Sequence, residues 1–155
     1  MSILPYKTNV AVSFPWAGPD ATGADVADRG PHGVGGYFHF SPGEIYVGGG
    51  MWHPEKPRLD AFRRLIVDDP RRVHEAIEDP AFVSHFEKIS GDRLQRVPSG
   101  FPADHPDAEL LKLKDVTFGR RLSDDDALSP ELPDIVADDF AAAVPVMRLL
   151  ASLAA

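Results

Sequence analysis

Tyr37-Phe-His-Phe-Ser-Pro-Gly-Glu-Ile-Tyr-Val-Gly-Gly-Gly-Met-Trp52 is the stretch that decides the fold of this chain. Apolar and polar-aromatic residues alternate strictly on either side of Pro42-Gly43, the signature of two strands joined by a tight turn. Phe38 and Phe40 share one face with Ile45 and Val47 across the hairpin. Tyr37, His39, Glu44 and Tyr46 share the other. The alternation therefore predicts that Phe38, Phe40, Ile45 and Val47 point into a core and that His39, Glu44 and Tyr46 meet on the opposite side.

Outward from the hairpin, Thr8, Val10, Val12 and Phe14 alternate with Asn9, Ala11 and Ser13, which predicts a strand with one buried face. Residues 15–36 are rich in Gly, Pro and Asp and read as a loop. Beyond Trp52 the period changes to that of helices. Pro54 opens a segment with Leu59, Phe62, Leu65 and Ile66 on one stripe. Asp69-Pro70 and Asp79-Pro80 each pair an N-cap with a first-turn proline. Leu94 to Val97 reads as a short edge strand, Asp104 to Lys112 as a short helix, and Asp115 to Leu122 as a strand. Ser129-Pro130 starts a last helix lined by Ile135, Val136, Phe140, Val144 and Met147, with Pro145 inside it. Strands separated by helical blocks, and a hairpin as the surest connection, predict an α+β fold. Its sheet is mainly antiparallel, with a central hairpin over residues 37–49 and helices packed on it.

At 155 residues a single domain over 1–155 is the default. With no cysteine, disulfides, thiol nucleophiles and cysteine metal sites are excluded. The net charge, 16 − 24 = −8, argues against non-specific binding to nucleic acid or to a membrane surface. No apolar run approaches a membrane span and no secretory leader opens the chain, so a soluble cytoplasmic protein is the simplest reading. The acid of Asp124-Asp-Asp126 and of residues 134–139 reads as solvated surface.

Several residues could carry chemistry, each with a structural reading beside the functional one. His39, Glu44 and Tyr46 are the catalytic candidates, with His39 as general base or ligand. A histidine hydrogen-bonded under a loop explains His39 equally simply. Tyr37 and Trp52 are candidates for lining a ligand site, although a tryptophan more often serves a core. Lys7, Lys114 and Arg120 could converge on an anionic ligand, or be surface ion-pair partners. Gly48-Gly-Gly50, read as a turn before a helix, could cradle an anion but lacks the phosphate-loop Lys-Ser/Thr. His32, His39, His53 and His105 are too dispersed for a metal site, and nothing calls for a cofactor.

Four segments together resemble one bacterial family, catalogued as domain of unknown function 2461. They are Pro5-Tyr-Lys-Thr8, the block Tyr37 to Trp52, Gly100-Phe-Pro-Ala-Asp-His-Pro106 and Leu113-Lys-Asp-Val-Thr-Phe-Gly-Arg120. The resemblance implies membership of a group of conserved hypothetical proteins with no established activity, and so carries no catalytic residue over. Family domains carry a helical N-terminal region before the Pro-Tyr-Lys-Thr motif. Here Pro5 is nearly the first residue, so the resemblance implies an N-terminally shortened domain, by roughly a quarter to a third, beyond what termini usually spare. Such shortening would uncover a face beside the strand at Thr8 to Phe14 and favour self-association. Two functional readings follow. One is a small-molecule binding protein, or an enzyme of unassigned reaction, using the polar face of the hairpin. The other is a non-catalytic protein–protein interaction module.

Overall fold

The structure, a computed structural model, describes residues 10–16 and 33–153. These form strands β1 (Val10–Pro15), β2 (Gly35–Ser41), β3 (Glu44–Met51) and β4 (Val116–Arg121). Helices α1 (Lys56–Asp68), α2 (Pro70–Ile77) and α3 (Pro80–Phe86) follow β3. Helix α4 (Ala108–Leu111) precedes β4, and α5 (Asp124–Leu128) and α6 (Leu132–Ala151) close the described chain. The strands make one antiparallel sheet in the order β1-β2-β3-β4, an α+β fold.

The hairpin register pairs Phe38 with Val47 and Phe40 with Ile45, and His39 with Tyr46, so the two faces separate as the alternation requires. Gly43 closes the turn at φ +79°, the positive value that the position after proline demands in a type II turn. One side chain departs from expectation. Phe38, Ile45 and Val47 join a small core with Leu122 and Ala127 under Phe140, but Phe40 lies at the sheet end and stays 36% exposed. Gly48-Gly-Gly50 also departs: all three belong to β3 rather than to a turn. There the neighbouring strand leaves no room for a Cβ: one at Gly50, φ +116°, would sit 2.1 Å from the Val116 carbonyl.

Helices α3 and α6 pack on the face that carries Val47 and Phe118. The larger core lies there, around Phe62, Ile66, Phe82, Phe118, Leu111, Leu113 and Leu150. Phe118 meets Phe82 at 5.4 Å and 81°, and Phe86 at 4.9 Å. Each such ring pair adds roughly 0.5–1.5 kcal/mol beyond burial.

Asp69 and Asp79 cap α2 and α3 as read, accepting from the N–H groups of Arg72 and Phe82. The first turn of α1 holds Pro57, three residues later than the expected start at Pro54. Residues 94–97 form no strand. Edge pairing is limited to isolated bridges, Ser90 with Thr117 and Arg93 with Leu113. The expected helix from Asp104 shrinks to the single turn α4, and a buried cation takes the carbonyl of its last residue and that of Leu113 just beyond it. Arg63 Nε donates to Leu111 O at 2.9 Å and Nη2 to Leu113 O at 3.0 Å. Arg63 therefore sits in the apolar stripe of α1, with Leu59, Phe62 and Ile66, and binds these carbonyls and the Asp60 carboxylate, at 3.2 Å, instead of water. The Asp124-Asp-Asp126 run forms the first turn of α5, where acid suits the helix N-terminus, behind an N-cap from Ser123. Helix α6 begins at Leu132, with Pro133 in its first turn, and continues past Pro145.

His74 on α2 bridges two carboxylates. Its Nδ1 lies 2.9 Å from Glu78 Oε1 and its Nε2 2.9 Å from Asp107 Oδ1. Both ring nitrogens must donate to satisfy both partners. Asp107 first, then Glu78, therefore hold His74 above the ordinary imidazole range.

Two outcomes are expected. Phe118→Ala should cost about 3–5 kcal/mol in denaturant unfolding and Phe40→Ala only about 1–2 kcal/mol; equal losses would contradict the packing. A raised folded-state pKa at His74 stabilises fully below the unfolded value of about 6.5 and is lost as pH rises through the folded value. The stability gap between the native chain and His74→Asn should therefore close with rising pH across that window. A gap that widens would refute the bridge.

Candidate functional site

The open face of the sheet is built by the residues that alternate away from the core. Strand pairing aligns Pro15, Gly35, Gly50 and Thr117 in one row, and Ser13, Tyr37, Gly48 and Gly119 in the next. Ala11, His39, Tyr46 and Arg121 form a third row, and Ser41 with Glu44 a fourth. Four positions in the first two rows are glycine, so the side-chain layer has a trough there. A groove of 630 Å³ opens at its Gly35 and Gly50 end, lined by Tyr37, Tyr46 and Trp52 with Ser13 and Thr117, while the Tyr46 ring covers Gly48 and Gly119. Tyr46 lies across Gly119: a Cβ at that position would come within 1.8 Å of its hydroxyl oxygen. Burial raises the Tyr46 pKa, which keeps its phenol protonated.

Trp52 is 67% exposed at the groove's end. The chain turns immediately after it. His53 has φ +46°, a strained value for a residue with a side chain. Its N–H donates to the buried Asp115 Oδ1 at 2.7 Å, and its ring lies against Trp52 at 4.4 Å, tilted by 37°. A buried carboxylate therefore holds the turn that presents Trp52 to solvent.

The catalytic candidates distribute differently from the expectation. His39 and Tyr46 are cross-strand partners on the open face. The hydrogen-bonding partners of His39 come instead from its own strand: Tyr37 Oη lies 3.1 Å from Nδ1 and Ser41 Oγ 3.1 Å from Nε2. Ser41 in turn donates to the Glu44 carbonyl at 3.3 Å. The Glu44 carboxylate faces Arg121 at 3.9 Å, at the turn end of the sheet. Of the ligand candidates, Tyr37 and Trp52 line the groove. Lys114 lies in the bend before β4, with its N–H donating to Asp92 O at 2.7 Å. Lys7 lies outside the described residues. The described lining thus contains no lysine or arginine.

Arg120 faces the opposite way, into the helix layer. Its Nε and Nη2 grip the two oxygens of Asp139 at 2.8 Å each, and His85 Nδ1 reaches the same carboxylate at 2.7 Å. Asp139 is wholly buried, so the 134–139 stretch is not uniformly solvated surface as its composition suggested. The expectation missed this cluster because it joins β4, α3 and α6, and no local pattern relates residues so far apart. It also missed Ser13 and Thr117, which strand parity alone could have placed beside Tyr37. Among the described residues no group of three His, Asp or Glu side chains could hold a metal ion, and no helix is long and apolar enough to cross a membrane.

Removing one partner of a buried ion pair strands the other. Arg120→Ala should therefore destabilise by about 3 kcal/mol in denaturant unfolding, with Arg121→Ala, at the exposed pair, within about 0.5 kcal/mol of the native chain. Equal effects would show that the Asp139 contact is dispensable.

No curated protein and no solved structure matches the chain. The profile of one family, described as "Conserved hypothetical protein (DUF2461)", matches residues 3–149. With nearly its whole length matched, this chain belongs to that DUF2461 family.

Proposed function

We propose that the open face of the sheet is a small-molecule binding surface and that the ligand lies in the glycine-floored groove between Tyr37, Tyr46 and Trp52. The observation that carries this reading is the trough itself. A solvated antiparallel sheet face is ordinarily covered by polar side chains, whereas here glycines open a concavity of ligand size with aromatic walls and a few hydroxyls. Anionic ligands fit poorly, because the described lining offers no basic side chain. His39, with Tyr37 on one ring nitrogen and Ser41 on the other, borders the groove through Tyr37 and is the group best placed for proton transfer should the ligand be a substrate.

A second reading, a protein interaction module that can include self-association, rests on a different observation. Val10, Val12 and Phe14 lie on the core-side face of edge strand β1 and are 62%, 41% and 46% exposed. An apolar stripe on a sheet edge favours a partner.

The two separate in one experiment. A thermal-shift screen of small molecules on the full chain should find compounds that raise the melting temperature by several degrees, since a ligand stabilises by mass action. Ser13→Trp, which fills the groove from an exposed position, should abolish the shift. Absence of any such compound, together with a mass that grows with concentration in light scattering, would favour the interaction module instead.

A further inference from the structure

We propose a second reactive site, on the helix side of the sheet, in which Nε2 of His85 is a nucleophile towards neutral acyl donors such as activated esters and Asp139 is its positioning residue.

The described histidines differ in what their ring nitrogens hold. His39 and His74 have partners on both. His105 accepts from the Asp107 N–H at Nδ1, at 3.0 Å, so its neutral ring carries the proton on Nε2. His53 Nδ1 lies 3.5 Å from Asp115 Oδ1, long for a hydrogen bond, and that oxygen already accepts from the His53 backbone N–H. His85 is arranged otherwise. Its Nδ1 lies 2.7 Å from Asp139 Oδ1. An ionised carboxylate only accepts, so Nδ1 carries the proton and the neutral ring keeps its lone pair on Nε2. Nε2 has no partner among the described residues. No buried side-chain nitrogen or oxygen among those residues lacks one, so Nε2 reaches solvent.

Asp139 holds that ring firmly. It is wholly buried, and Arg120 grips both of its oxygens at 2.8 Å. Oδ1 is shared, so the imidazole and the guanidinium meet at one atom. Arg120 is always charged and already balances the carboxylate, so the bond to His85 needs only a neutral N–H. A bond formed at Nε2 makes the ring cationic. The Nδ1–H contact with Asp139 then becomes charge-assisted as the charge develops. A buried carboxylate that fixes an imidazole tautomer and steadies the imidazolium is a recurring catalytic device.

In the step itself, Nε2 attacks the acyl carbon of a phenyl ester. The N–C bond forms, and the C–O bond breaks with its electron pair leaving as phenolate. Water then adds to the acyl carbon, the N–C bond returns its pair to Nε2, and the two protons of the water pass to solvent. The products are a carboxylate, a phenolate and restored His85. Arg120 and Asp139 cancel in charge and the chain carries −8, so the site suits a neutral acyl donor better than an anionic phosphoryl donor.

The probe is p-nitrophenyl acetate with the full chain, followed by nitrophenolate release and by mass mapping of the quenched protein. The acetyl group should appear on His85 before His53, although the His53 side chain is 63% exposed and that of His85 only 32%. Exposure alone predicts the reverse order. His85→Gln should slow nitrophenolate release at least about tenfold, and Asp139→Asn by a similar factor where thermal melting shows it folded, the scale of one hydrogen bond to a charged group. Nitrogen NMR on the native chain needs no variant: it should find the His85 proton on Nδ1 and Nε2 bare. A proton on Nε2 of the neutral ring, acetylation of His53 ahead of His85, or native release rates from His85→Gln would each overturn the proposal. Acetyl phosphate gives a further check. It should leave an acetyl group on His85, and a phosphoryl group there would refute the assignment to acyl donors.

Discussion

A single buried carboxylate ties the layers of this protein together. Asp139 has no contact with solvent, so its charge must be met inside the fold. It is met from two sides, by the bidentate guanidinium of Arg120 on β4 and by His85 on α3. These contacts fix where α6 lies over the sheet and how far α3 stands from it. Once α6 is placed, Phe140 falls over Gly36, whose lack of a side chain makes room for the ring, and packs edge-on against Phe14. The small core around Ile45 and Val47 then closes beneath the same helix. Arg63 plays the corresponding part on the far side of the core, taking the backbone carbonyls of Leu111 and Leu113 that a one-turn helix cannot satisfy itself.

The apolar load of the described helices goes to one face of the sheet, and the open face takes its character from what remains. At its turn end the face is charged and hydrogen-bonded, with Glu44 against Arg121 and the Tyr37–His39–Ser41 chain. At its glycine end it is neutral and aromatic. The change happens within one strand of eight residues, because β3 passes from Glu44 and Tyr46 to Gly48 and Gly50 on the same side. The two ends meet at Tyr37, which lines the groove and hydrogen-bonds His39 in the adjacent row of the sheet.

Local reading succeeded where a short-range rule governs. The alternation in Tyr37 to Val47 and the proline-glycine turn set the register, because a one-residue slip would turn every side chain over. Asp69-Pro70 and Asp79-Pro80 became helix starts because an N-cap and a first-turn proline act within three residues. It failed where burial or distance governs. Phe40 obeys its face but not its expected depth, since depth depends on whether a helix reaches the end of the sheet. Gly48-Gly-Gly50 continued a strand because its close neighbours are Phe118, Gly119 and Val116, some seventy residues away in sequence.

By itself the sequence determined the α+β class, the hairpin and its two faces, the caps of α2 and α3, and the presence of Tyr37, His39 and Tyr46 on one side. These follow from backbone periodicity and from hydrogen bonds between near neighbours. Only the tertiary structure decided that Arg120 pairs with the buried Asp139. It alone set Trp52 out of the core and opened glycines of β2 and β3 into one groove. Each of these depends on which distant backbone approaches which, and that is an outcome of packing the whole chain.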